Sequence, residues 1–248
     1  MNPLDPDEPN PAGLGPLGAG PLAADPHRGS PFGSPAARPN PLAALHDDQV
    51  IAVVRAHRIP DAAALCAALA EGGISWTEFT CTTEDAPELL RRAAQAGHRV
   101  GLGTVLTAEQ AEQGVAAGAS FLVTPGCRPE VAAAAHAAGV PVVLGALTPT
   151  EVAQALDLGA AAVKIFPARV FGPAYFNDLR GPFPGVRLVA SGGVTAGNAA
   201  DFLEQGAFAV CAGSDVVRPE LVAAGDWAEI TRRARAFVQA CEFGVRAR

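Results

Sequence analysis

From about residue 48 onward, short apolar runs alternate with alanine-rich stretches whose apolar positions recur at helical spacing. The runs at 50–55, 75–80, 99–103, 120–124, 141–144, 161–166, 187–190 and 207–212 predict strands. Between them, 61–71, 86–96, 108–117, 129–138, 149–158, 175–179 and 196–205 predict helices, and a last helix covers about 226–240. Eight strands and eight helices in strict alternation require parallel pairing through right-handed crossovers. Eight such units in about 200 residues fit an α/β chain folded as a (β/α)8 TIM barrel. A doubly wound open sheet is the competing architecture. Its usual glycine fingerprint fails here, because Gly101-x-Gly103 is followed by Leu106 where a third glycine belongs.

The first 41 residues break this pattern. They hold eleven of the twenty-two prolines and six glycines, with Phe32 as the lone aromatic residue. Such a segment cannot bury enough apolar surface to offset its ordering entropy. The expected organisation is a disordered Pro/Gly-rich tail over 1–41 and a barrel over 42–248. The tail is either a segment without function or an over-extended gene start.

Composition narrows the function classes. Hydrophobic residues at 49% and charged residues at 17% describe a chain with a sizeable core. The formal net charge is −7 and no arginine cluster is interleaved with aromatics, which argues against nucleic acid as a partner. The longest apolar stretch, 131–147, is interrupted by His136, Gly139, Pro141 and Gly145, so no membrane span is expected. Asp5, Asp7 and Glu8 stand where a secretory signal needs positive charge, and a cytoplasmic location is expected. The five cysteines, Cys66, Cys81, Cys127, Cys211 and Cys241, are odd in number and show no Cys-x-x-Cys pair. They read as buried free thiols, and the scattered histidines suggest no metal site.

Lys164 is the single lysine; the other seventeen members of the Lys+Arg total of 18 are arginines. A guanidinium stays protonated, whereas a lysine amine can be desolvated, lose its proton and attack a carbonyl carbon. Lys164 lies in the apolar run Ala161-Ala162-Val163-Lys164-Ile165-Phe166-Pro167, a costly place for an ammonium group. A Schiff-base lysine is the functional reading, and a leftover surface lysine the bland one.

In a (β/α)8 barrel, chemistry gathers at the C-terminal ends of the strands. Glu78, Thr104, Thr124-Pro125-Gly126, Gly145, Lys164, Ser191-Gly192-Gly193 and Gly213-Ser214 fall at or near the ends of strands two to eight. Period-two alternation puts Trp76, Glu78 and Thr80 on one face. An inward carboxylate is either paired, with Arg55 or Lys164, or serves as a general acid/base beside the lysine. Gly192-Gly193 and Gly213-Ser214 would expose backbone N–H groups in the seventh and eighth loops, where barrels commonly hold phosphate. Alternatively these glycines only make tight turns.

The motifs Glu78-Phe79-Thr80, Gly101-Leu102-Gly103-Thr104, Val123-Thr124-Pro125-Gly126, Gly145-Ala146-Leu147-Thr148-Pro149-Thr150-Glu151, Val163-Lys164-Ile165-Phe166-Pro167-Ala168, Gly181-Pro182-Phe183-Pro184, Ser191-Gly192-Gly193-Val194 and Ala212-Gly213-Ser214 occur in one order. In that order, over about residues 42–241, the chain resembles the 2-keto-3-deoxy-6-phosphogluconate (KDPG) / 4-hydroxy-2-oxoglutarate (KHG) aldolases, class I aldolases with a (β/α)8 fold. The resemblance implies that Lys164 forms the imine and Glu78 shuttles protons through a water. It also implies that Thr104 binds the keto-acid carboxylate, that Pro125 and Phe166 shape the pocket, and that Gly192, Gly193, Gly213 and Ser214 hold a distal phosphate. No cofactor and no metal are implied, and the family usually assembles as trimers.

Two positions depart from the pattern. Thr82 stands where many members carry a substrate-contacting arginine, and Arg55 on the first strand would supply the missing charge. Leu144 stands where proline commonly precedes Gly145. The expected reaction is reversible cleavage of a phosphorylated 2-keto-3-deoxy sugar acid to pyruvate and glyceraldehyde 3-phosphate. Its rivals are aldol cleavage of 2-keto-3-deoxy-6-phosphogalactonate or 4-hydroxy-2-oxoglutarate, a phosphate-binding barrel enzyme of another class, and a non-catalytic barrel that binds a phosphorylated metabolite.

Overall fold

Every apolar run named above forms a strand in the computed structural model of this protein, which describes Leu42 and residues 45–246. The expected tail, residues 1–41, lies outside the described residues. Helix α1 (Leu45–Asp48) leads into β1 (Val50–Val54), α2 (Ala62–Glu71), β2 (Trp76–Thr80), α3 (Ala86–Gln95), β3 (Arg99–Gly103) and α4 (Ala108–Ala116). The chain continues through β4 (Phe121–Val123), α5 (Pro129–Ala137), β5 (Val142–Ala146), α6 (Pro149–Asp157) and β6 (Ala162–Ile165). A single 3-10 turn (Ala168–Val170) precedes α7 (Ala174–Arg180), β7 (Leu188–Ala190), α8 (Ala199–Glu204), β8 (Ala209–Ala212), α9 (Pro219–Ala224) and α10 (Trp227–Arg246). The strands pair in chain order, and parallel pairing of β8 with β1 closes the barrel. The open-sheet alternative is thereby excluded.

Strand alternation sorts the side chains into two cores. Ile51, Trp76, Phe121, Val143, Ala162 and Val189 point inward and pack on one another inside the barrel. Their neighbours Ala52, Phe79, Leu122, Leu144, Val163 and Leu188 point outward and pack in the helix layer. The barrel floor is plugged by Leu42 and Leu45, both fully buried against the inner set. Above them, Trp76 stacks at 5.6 Å on Phe121 and donates its indole N–H to Asp48 at 2.7 Å. Among the described residues no helix is long and apolar enough to cross a membrane.

Helix starts follow their capping chemistry. Asp61 accepts from the Ala64 N–H and Thr107 from the Gln110 N–H, each satisfying a donor that the helix itself leaves free. Thr148 and Glu151 form a reciprocal capping box at the start of α6.

Three differences from the expected elements have local causes. α8 begins at Ala199 rather than 196, because the Asn198 carboxamide accepts the Thr195 N–H and donates to Gly193 O, holding that segment as a turn. β5 runs to Ala146 instead of ending at 144, since Ala146 pairs in register with Ile165. α1, the 3-10 turn and α9 are too short to produce a periodic pattern and were not expected.

Candidate active site

The inward face of β2 carries Trp76 in the floor and Glu78 one step higher; the inward face of β6 carries Ala162 and, one step higher, Lys164. The pleat therefore lifts both ionisable groups to the same level near the strand ends. Lys164 Nζ donates to Glu78 Oε1 at 3.4 Å and lies 3.5 Å from Oε2. Glu78 is 1% exposed and Lys164 6% exposed, so the pair is almost wholly buried. Of the two partners weighed for Glu78, Lys164 is the one that meets it; Arg55 is exposed and lines the cavity described below.

Small residues make room for this pair. A methyl group on Gly103 would collide with the Glu78 carboxylate, so the side chain occupies the space a Cβ would take. Gly145 sits in register with Lys164, and a Cβ there would strike the Pro125–Gly126 backbone. Thr124 locks that turn, donating its hydroxyl to Gly126 O at 2.6 Å and accepting the Gly145 N–H at 3.1 Å. Pro125 is thus held against β5 next to the lysine strand. Thr104, directly after β3, has a φ of 58°, a left-handed conformation that a β-branched residue rarely adopts. Strain of this kind concentrates at binding sites, where the surrounding structure fixes it.

Phe166 links the lysine to the glycine loops. Its ring centroid is 5.8 Å from Lys164 Nζ, and its edge lies close enough to Gly192 that an added Cβ would approach to 3.1 Å. Gly192 and Gly193 have φ of 87° and 88°, a region that favours glycine. The carbonyls of Ser191 and Gly192 accept the N–H groups of Ala168 and Arg169 at 2.7 and 3.0 Å. Because each peptide is planar and trans, the N–H groups of Gly192 and Gly193 face away from those carbonyls.

A cavity of about 590 Å³ opens over these loops. Its lining includes Arg55, Phe166, Gly192, Gly193, Gly213 and Ser214, six of the expected site residues. Arg169, Asp215 and Arg218 also line it, and sequence reasoning did not single these out. The loops present turns rather than helix N-termini, since the following helices begin only at Ala199 and Pro219. Lys164, Glu78, Thr104 and Pro125 are not among its lining residues and stand near the C-terminal ends of β6, β2, β3 and β4.

The thiols near the site are quiet. Burial pushes the Cys211 thiol up to about 11, with nearby Lys164 pulling the other way. Burial likewise raises Cys81 to about 11. All five cysteines are free, with Cys66, Cys211 and Cys241 buried and Cys81 and Cys127 half-buried. Among the described residues no group of three or more His, Cys, Asp or Glu side chains is arranged to hold a metal ion.

Residues 42–233 match the family model described as KDPG and KHG aldolase. The chain is 40% identical over 191 residues to a 2-dehydro-3-deoxy-phosphogluconate aldolase of Treponema pallidum, covering 76% of this chain and 91% of that protein. It is 32% identical over 193 residues to the KHG/KDPG aldolase of Escherichia coli, covering 77% and 91%. Among solved structures it is similar to the KDPG aldolase of Legionella pneumophila, which holds pyruvate as a covalent carbinolamine intermediate. That likeness has a TM-score of 0.74 at 30% identity and covers 79% of this chain and 97% of the other.

Proposed function

Since the chain belongs to the KDPG and KHG aldolase family, we propose that it is a class I aldolase that cleaves 2-keto-3-deoxy-6-phosphogluconate to pyruvate and glyceraldehyde 3-phosphate. The observation that carries this reading is the buried Lys164–Glu78 pair at 3.4 Å, an amine nucleophile beside a carboxylate near the C-terminal ends of the barrel strands.

The unprotonated Lys164 amine adds to the C2 ketone, giving a carbinolamine. Loss of water yields an iminium that withdraws electrons from the C3–C4 bond. Glu78, through a water, takes the proton of the C4 hydroxyl; the C3–C4 bond breaks, its electron pair passes into a pyruvate enamine, and glyceraldehyde 3-phosphate leaves. Protonation of the enamine at C3 and hydrolysis of the imine return pyruvate and free Lys164. The iminium does the work that a metal would do in a class II enzyme, so the proposed route needs no cofactor. The carbinolamine captured in the Legionella protein supports the first step.

In this reading Thr104 receives the keto-acid carboxylate, Pro125 and Phe166 form the walls around the pyruvyl carbons, and Gly192, Gly193, Gly213 and Ser214 bind the phosphate. Arg55, exposed at the cavity, supplies the charge absent at Thr82. That exchange of charge bears on the choice among KDPG, its galactonate isomer and 4-hydroxy-2-oxoglutarate, which relative kcat/KM values on the three would order. The enzyme is cytoplasmic and works as a homotrimer; Val170 and Phe171, each 55% exposed, offer apolar surface to a second copy. The catalytic unit is the barrel from residue 42 onward, without the 1–41 tail.

Borohydride reduction in the presence of pyruvate, followed by peptide mass analysis, tests the mechanism. The chain has one side-chain amine, so a reduced adduct on the Lys164 peptide, absent from Lys164→Ala, is the expected result. No adduct on folded protein would overturn the class I reading.

A further inference from the structure

The cavity over the glycine loops is strongly basic although the chain is acidic. Its lining contains Arg55, Arg169 and Arg218 against a single carboxylate, Asp215, in a protein of formal net charge −7. Asp215 is itself engaged, accepting the Ala196 N–H at 2.7 Å. Arg169 has no ion-pair partner among the described residues, and Arg218 has only a 3.8 Å contact with exposed Glu220. Three guanidinium groups against one carboxylate at a concave site leave a net positive potential that favours an anion.

The backbone of Arg169 is fixed where its exposed side chain can serve that anion. It belongs to the 3-10 turn immediately after the lysine strand, and its backbone N–H is tied to Gly192 O at 3.0 Å. Its stem lies over Gly193 so closely that a Cβ on that glycine would come within 2.6 Å of the arginine Cβ. The positive φ and the stem thus both require glycine at 193. The turn carries the guanidinium along the same loop that presents backbone N–H groups to the cavity.

We infer that Arg169, assisted by Arg218 in the lining of the same cavity, is a specificity-determining residue that pairs with the distal phosphate of the substrate. The inference rests on the aldolase reading for the identity of the substrate, while the anion site itself depends only on the arginines and loops. Backbone N–H groups bind a phosphate oxygen through partial charges. A guanidinium adds a full charge and a planar fork, which favours a phosphate dianion over a neutral hydroxyl at the same place. The enzyme therefore discriminates phosphorylated from unphosphorylated keto acids through these two side chains.

The test uses the full chain and the variants Arg169→Gln, Arg218→Gln and Arg169→Lys, with thermal unfolding as the check on folding. For Arg169→Gln the ratio of kcat/KM on the phosphorylated keto acid to that on 4-hydroxy-2-oxoglutarate should fall about 10- to 100-fold, carried by KM rather than kcat. Arg169→Lys should recover part of that ratio, and the double variant should lose more than either single one. Inorganic phosphate, used as a competitive inhibitor or as a thermal-shift ligand, should bind about 10-fold more weakly to Arg169→Gln. If pyruvate is trapped on Lys164 but the substrate ratio and phosphate binding stay within twofold of the parent, the clamp is wrong and the aldolase reading stands. If no imine forms yet phosphate binding depends on Arg169, the clamp stands and the aldolase reading falls.

Discussion

A buried ion pair is an energetic liability unless both partners are present, and Lys164 and Glu78 illustrate this at the scale of single residues. Each is nearly inaccessible, so removing one strands the other in a dry interior, at a cost of about 3 kcal/mol. Lys164→Met should lower the unfolding free energy by about that amount, and adding Glu78→Gln should recover most of it. Urea denaturation of the parent, the single variants and the double variant measures the coupling; independent, additive losses would show that the pair is not coupled. Gly103 makes a second prediction. The methyl of Gly103→Ala has no place except where the Glu78 carboxylate now lies, so the carboxylate must move. Displacement of a catalytic group by about 1 Å costs on the order of 100-fold in rate. We therefore expect kcat of Gly103→Ala to fall by about that factor while borohydride trapping with pyruvate persists. Period-two alternation made the inward direction of Glu78 legible in the sequence, and the choice of a lone lysine in an apolar run made Lys164 legible. Thr104 was legible only from its place at the end of the third strand, and no signal in its residue type advertises the left-handed backbone. Nor does one exist for Arg169, which sits in a three-residue turn with no periodicity to place it.

At the scale of elements, the loop between β5 and α6 shows how a sequence motif becomes local structure. Glu151 Oε2 accepts from the N–H groups of Leu147 at 2.9 Å and Thr148 at 2.8 Å, and Thr148 Oγ1 accepts the Glu151 N–H at 3.4 Å. Tyr175 on α7 donates its hydroxyl to Leu147 O at 2.7 Å, which ties this loop to the next β/α unit. The stretch from Gly145 to Glu151 was readable as a family motif; its physical content is a capping box that ends the strand and starts the helix. Thr148→Ala should cost about 1 kcal/mol in a denaturant melt. The N–H groups of Leu147 and Thr148 hold the Glu151 carboxyl below its ordinary value, with the Thr148 hydroxyl adding to the effect. A carboxyl depressed in the folded state stabilises the protein above its unfolded value, and that stability is lost as pH falls through the folded value. The melting temperature of Glu151→Gln should accordingly vary less than the parent's between pH 5 and pH 3, as followed by scanning calorimetry. An unchanged pH dependence would show that the loop does not sense the charge.

Taken as a whole molecule, the barrel has its floor filled by the segment just before β1, and that packing sets where we expect the chain can be shortened. The alternation of strands and helices was legible because each period stands out over several residues. The plug was not, because Leu42 and Leu45 lie in a short segment beside proline-rich sequence and show no pattern of their own. Both side chains are fully buried among the inward residues of the strands, and Asp48 of α1 holds the indole of Trp76. Burying a leucine contributes about 1.5–3 kcal/mol, so the pair supplies a substantial share of the stability of a domain this size. A chain beginning at Pro41 should keep kcat/KM within twofold of the full-length protein and unfold at the same denaturant concentration, because the floor remains intact. A chain beginning at Gln49 loses both leucines and Asp48, and its unfolding midpoint should drop sharply or the barrel should fail to fold. The intermediate variant Leu42→Ala/Leu45→Ala in the longer chain separates loss of the plug from loss of chain length. If it unfolds like the parent, the floor does not depend on these side chains. If instead the chain beginning at Pro41 loses activity while remaining folded, residues before 41 contribute to function and the barrel is not the whole catalytic unit.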